Sequence, residues 1–242
     1  MNKRVGVLVA GEWQRFRKYH LLTANLVLLL IWILIALALD TEELKPFIPF
    51  IFLMDATVMN IALTGTTIFY EKQEHTINAL LVSPVTENEY LCSKVVTGIG
   101  NSLLTLVLIG LAMWLVKGIT FNYWSLVPAI IVVAGFHTLL GIALTYGAKD
   151  FTGIMLRAIL YMFVFWLPAV FGLFGLISED VMKYVMVFPP ESSARLLSTS
   201  VTTIAVWQIV FGYLYLALLS IVIYLRVVKP GFRRYVVRET GV

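Results

Sequence analysis

Asp55 and His137 are the two side chains of this sequence best placed, by type and surroundings, to move a proton in an apolar medium, since each stands inside a long hydrophobic run. A carboxylate at such depth costs a few kcal/mol on insertion scales and needs a partner or water. Arg195 is the one strong cation the sequence offers it. A structural ion pair, a protonated acid and a substrate contact therefore compete as roles for Asp55. His137 has no second His, Cys or acid at ligand spacing, so a packed, hydrogen-bonded ring is the plainer expectation and no metal site is expected. Cys92 is the single cysteine, which excludes an internal disulfide. No lysine is followed by Ser or Thr, so a phosphate-binding P-loop is excluded; G-x-S-x-G and H-E-x-x-H are missing too. The chain is expected to carry no catalytic residues and to bind no cofactor of its own.

Two polar stripes are the next candidates. Thr57, Asn60, Thr64, Thr67 and Glu71 recur at helical spacing and so share one face, with Asp55 turned to the opposite side. Ser93, Thr97, Asn101 and Thr105 repeat every fourth residue. Small polar side chains let helices pack closely in lipid and hydrogen-bond across a seam. The competing reading is a substrate route lined by Asp55, Thr57, Asn60, Thr64, Thr67 and Asn101. Both stand at this point.

The elements that position these residues are membrane spans. Of 242 residues 60% are hydrophobic and 13% charged, with a mean hydropathy of +0.90. A soluble domain carries about 25% charged residues. Six segments are apolar and long enough to cross, at about 21–39, 47–70, 95–116, 126–148, 154–177 and 204–228. They leave no room for a separate soluble domain, so residues 1–242 form one transmembrane domain. Most of the 18 Lys and Arg fall on one side: Lys3, Arg4, Arg15, Arg17 and Lys18 before the first span, Arg226, Lys229, Arg233, Arg234 and Arg238 after the last, with Lys72, Lys94, Lys149 and Arg157 between. By the positive-inside rule both termini and the 71–94 loop face the cytoplasm. The net charge of +4 reflects that topology and attraction to membrane lipid, not nucleic-acid binding.

Residues 3–19 are amphipathic, with Val5, Leu8, Val9, Trp13 and Phe16 at helical spacing, and read as an interfacial helix or simply a basic flank. The segment 178–203, broken at Pro189-Pro190, reads as a re-entrant pair of half-helices or an amphipathic surface loop. The sharpest feature lies at 71–94, EKQEHTINALLVSPVTENEYLCSK. Ile77, Leu80 and Leu81 form an apolar face, Pro84 ends that helix, and Thr86 with Glu89 makes a capping box for a second short helix. The result is a compact, bent feature that something outside the membrane could grip.

This stretch, with Glu71-Lys72, Thr76, Ala79-Leu80-Leu81, Ser83-Pro84, Glu89-Tyr90 and Ser93-Lys94, resembles the type-2 ABC (ABC-2) exporter permeases, and among them the fluoroquinolone export permease branch, whose members carry an aspartate in the second span as Asp55 stands here. The resemblance implies an all-α membrane fold of six spans with a coupling helix after the second. That helix would dock on a separate cytoplasmic ATPase, which binds ATP and magnesium, and two permease subunits would form a homodimer or heterodimer in a prokaryotic plasma membrane. Ile77, Leu80 and Leu81 would be the apolar knobs, and Glu71, Lys72, Glu74 and Glu87 would set register, beside Thr76, Ser83 and Pro84. The cargo would be amphipathic, drug-like or lipid-like. A secondary transporter or channel is the alternative; it would show matching inverted repeats, and spans 1–3 and 4–6 do not match.

Overall fold

A computed structural model of the chain describes residues 3–237, leaving aside the side chains of Leu81, Leu173, Glu179 and Val237; the described residues are helical nearly throughout and contain no strand. Arg238, counted above in the basic tail, lies outside them. Helix α1 (Lys3–Lys18) turns at His20, held at φ 57, into α2 (Leu21–Ala38). α2 is apolar all round and buries only Ala36, as suits a helix facing lipid. Helices α3 (Thr41–Leu44), α4 (Ile48–Met54) and α5 (Asn60–Gln73) join through a π-turn at Asp55–Met59 into one rod, Thr41–Gln73. Its start is set by a capping box between Asp40 and Glu43. Then come α6 (Thr76–Leu81), α7 (Glu87–Lys117) and α8 (Tyr123–Tyr146). α9 (Phe151–Phe165), α10 (Leu167–Leu173), α11 (Glu179–Val185) and α12 (Pro189–Ser198) precede α13 (Val206–Ile223), a second π-turn at Tyr224–Val228, and α14 (Lys229–Val237).

Among the described residues five helices are long and apolar enough to cross a membrane: Leu21–Ala38, Thr41–Gln73, Glu87–Lys117, Tyr123–Tyr146 and Val206–Val236. The segment expected to cross at 154–177 is divided instead. α9 has 15 residues and α10 has 7, and they part at Trp166, ahead of Pro168, which lacks the N–H to continue the ladder. Neither piece reaches the ~18 residues of a full span.

The 41–73 rod and α8 are the most buried spans and pack on each other along their length. Gly141 of α8 makes that approach possible: a Cβ there would stand 3.1 Å from the Ile61 Cα. Above the crossing, Ile51, Phe52, Ile130, Val133, Leu197 and Leu216 close a core at one end of the bundle. α12 plugs that end, with Pro190, Glu191, Ser192, Leu196 and Leu197 buried against α4, α8 and α13. A second core at the basic end gathers Ile68, Ile77, Tyr90, Leu91, Ile142 and Phe232.

Candidate functional site

The foot of the 41–73 rod carries the densest chemistry in the molecule. Glu71 ends the polar stripe and is 2% exposed. Arg15 of α1 meets its Oε1 at 2.8 Å, and Lys94 of α7 meets its Oε2 at 2.9 Å. Both cations also hold Glu12 of α1, Arg15 at 2.5 Å and Lys94 at 2.8 Å. The Tyr90 hydroxyl donates to Glu71 Oε2 at 2.5 Å. The result is a closed ring of two carboxylates and two cations, each acid bridged by both bases. Burial pushes the Glu12 carboxyl above its ordinary value, and Lys94 pulls it back. Removing one member of such a buried set costs ~3–5 kcal/mol, because the others keep their charge without its partner. The ring locks α1, the rod and α7 together, so the amphipathic N-terminal segment is part of the packed bundle. Glu12, Arg15, Tyr90 and Lys94 were not singled out as a group by sequence; they lie on two elements far apart in the chain, and only Glu71 advertised itself.

The 74–86 segment hangs from this ring. His75 turns the chain at φ 56 into α6, and the Thr76 hydroxyl donates back to the Glu71 carbonyl at 3.1 Å. Ser83 donates to the Leu80 carbonyl at 3.0 Å and accepts from the Val85 N–H at 3.3 Å, which shapes the turn before Pro84. The capping box is present as expected: Glu89 N–H donates to Thr86 Oγ1 at 3.3 Å, and Thr86 N–H to Glu89 Oε2 at 2.8 Å. It does not open a second short helix, however. α7 runs unbroken for 31 residues from Glu87 through the third span, so the feature is one short helix and a turn.

The expected outward knobs point elsewhere. Ile77 is 1% exposed and sits inside the basic-end core, with Leu80 half-buried against the same cluster. Leu81 closes α6, and its side chain lies outside those described. The charges are also engaged within the chain. Glu74 pairs with Lys18 at 2.6 Å, Glu87 with Arg233 at 2.5 Å, and Lys72 lies 4.4 Å from the Tyr235 ring centre. Arg4 donates to the Pro84 carbonyl at 2.9 Å. α1 and α14 thus clamp the segment from two sides. Its exposed residues include Thr76, Ala79, Val82 and Pro84, with Val82 88% exposed.

Within the membrane region Asp55 opens the π-turn and is buried. Its partners are the hydroxyls of Ser102 and Thr105 on α7, not Arg195, which pairs with Glu191 along α12 at 2.8 Å. Ser102 also accepts from Asn60 Nδ2 at 2.8 Å, so a relay Asn60–Ser102–Asp55 crosses from rod to α7. Asn101 accepts from Asn25 of α2 at 2.7 Å. Thr57 donates to the Leu53 carbonyl at 2.6 Å and Thr67 to the Thr64 carbonyl at 3.0 Å. Thr57, Asn60, Thr64, Thr67 and Asn101 are all buried between helices of this one chain. His137 Nδ1 donates to the Val133 carbonyl at 2.8 Å, which leaves Nε2 to accept from the Tyr161 hydroxyl at 3.1 Å and tie α8 to α9. No group of three or more His, Cys, Asp or Glu fit to hold a metal occurs among the described residues.

An all-helical bundle of membrane-crossing helices, with polar side chains buried between them and a braced protrusion at the basic end, has the build of a membrane permease. The chain belongs to the fluoroquinolones export permease protein family, which it matches over residues 4–240. It is similar to the proteins called fluoroquinolones export permease protein in two strains of Mycobacterium tuberculosis, being 26% identical to each over 215 residues, 88% of this chain and 88% of either relative.

Proposed function

We propose that this chain is the membrane subunit of an ABC-2 exporter, driven by ATP hydrolysis on a separate cytoplasmic ATPase and working as a pair of permease subunits in the plasma membrane. The observation that carries the reading is the braced 74–86 protrusion. A segment held by Lys18 and Arg4, followed directly by the Glu87–Arg233 pair at the start of α7, and welded through Glu71 to the feet of two spans, moves as a rigid body with those spans. That is the mechanical requirement for converting a partner's closure into a change of helix packing. The docking face is Thr76, Ala79, Val82 and Pro84, while Ile77 and Leu80 hold the protrusion to the bundle. Both termini then lie in the cytoplasm, and α9 with α10 supplies the sixth crossing as a broken pair. The name of the relatives supports an amphipathic aromatic cargo of the fluoroquinolone kind.

The test is reconstitution. The chain alone in vesicles should move no fluoroquinolone, with or without ATP; addition of its ATPase should confer ATP-dependent movement. Ala79→Asp with Val82→Asp should abolish that movement and ATPase co-purification while leaving the protein inserted and its melting unchanged. Transport by the lone chain, or full coupling in the double variant, overturns the proposal.

A further inference from the structure

Beside the protrusion, the basic end carries a second feature that neither the charge ring nor the clamp uses. A cleft of about 430 Å³ opens where α8, α9 and the α13–α14 junction meet. Three arginines from three elements line it: Arg157 of α9, Arg226 in the second π-turn, and Arg234 of α14. No carboxylate lines it among the described residues. Arg157 is held in place, donating through Nη2 to the Gly147 carbonyl at 2.6 Å. Its guanidinium lies so close over Gly147 that a Cβ there would stand 2.0 Å from Nη1 and would displace it from this position. Tyr146, stacked on Tyr235 at 5.0 Å, makes the wall between.

Three cations in one concave site repel one another unless an anion joins them, and guanidinium forks match phosphate oxygens in geometry. The site sits at the end of membrane-crossing helices, where headgroups lie. From it an exposed apolar stripe, Leu218, Val222 and Leu225, runs up α13 at helical spacing toward the middle of the membrane. We propose that this cleft binds the phosphate headgroup of an anionic membrane lipid, with Arg157, Arg226 and Arg234 on the phosphate and the α13 stripe against an acyl chain. The site is independent of the ATPase reading. Because α14 also carries Arg233 against Glu87 and Phe232 against Tyr90 at the start of α7, lipid occupancy steadies that junction.

The full chain, purified in a neutral detergent, is offered phosphatidylglycerol or phosphatidylcholine, and bound lipid is counted by native mass spectrometry. Phosphatidylglycerol should be retained in preference. Each arginine near an anionic headgroup contributes about fivefold, so Arg226→Gln with Arg234→Gln should weaken retention more than tenfold. Lys3→Gln with Arg17→Gln, exposed cations outside the cleft, should not. Equal retention of the two lipids, an undiminished affinity in the arginine variant, or an equal loss in the α1 control each overturns the proposal. Should the arginine variant fail to fold, the wild-type protein still decides it: phosphatidylglycerol should raise the melting temperature, while inorganic phosphate and glycerol phosphate at the same concentration should neither raise it nor displace the lipid. Displacement by either means that the cleft takes a free phosphate, and the lipid assignment fails.

Discussion

Asp55 and Glu71 stand on one helical rod, both nearly sealed from solvent, and they are stabilised in opposite ways. Glu71 lies at the basic foot, where α1 and α7 bring two cations and a phenol to it. Asp55 lies in the span, where the only help is hydroxyls from one neighbouring helix. The foot is held by charge and resists disturbance as a unit. The middle is held by hydroxyl hydrogen bonds to α7 beside a π-turn, a helical irregularity common at functional positions. The contrast teaches that this chain concentrates its charged cross-links at the basic foot and leaves the membrane middle to weaker, uncharged donors.

The comparison can be broken most directly at Glu71. Glu71→Gln should lower stability by about 3–5 kcal/mol, read as a large fall in melting temperature in detergent, because Lys94 stays buried and Arg15 half-buried with one anion fewer. Pairing it with Lys94→Gln should cost far less than the two single changes added together, since the members share one network. Additive losses would mean that the ring is not a unit. Asp55→Ala should cost about 1–3 kcal/mol, the penalty of leaving the Ser102 and Thr105 hydroxyls without an acceptor, and Asp55→Asn less again. A loss at Asp55 equal to that at Glu71 would erase the contrast. His137→Phe, which removes the joint to Tyr161, should cost about 1–2 kcal/mol and loosen α9 in hydrogen exchange.

The smallest effect belongs to Glu74. Hydrogen bonds from Lys18 and then Tyr19 hold its carboxyl below the ordinary value of 4.5. A lowered value stabilises the fold above that pH and is lost as pH falls through it, so Glu74→Gln should flatten a shallow acid-side decline in melting temperature. The pair is exposed, so salt should weaken it, whereas the buried Glu71 ring should be insensitive.

Much of this was legible in the chain. The capping box at Thr86 and Glu89, the stop before Pro84, the apolar first span and the packed, hydrogen-bonded role of His137 follow from short-range rules, and each is in the structure. The partner of Asp55 was not legible. Arg195 was the only cation in reach by sequence, yet a hydroxyl pair one helix away serves instead, and hydroxyls are too common to advertise a contact. Ile77, Leu80 and Leu81 showed an amphipathic face without its direction. α14 read as a basic tail, but Phe232, Tyr235 and Val236 fold under the bundle and cover that face, so Ile77 turns inward.

Composition and hydropathy alone determined that this is a helical membrane protein and where its five long apolar helices run, though not the break within 154–177, because lipid forces each crossing segment to satisfy its own backbone locally. Which faces meet was decided only by the tertiary structure. A buried charge ring needs four side chains from three distant helices within 3 Å of one another, and no periodicity within any one helix records that meeting.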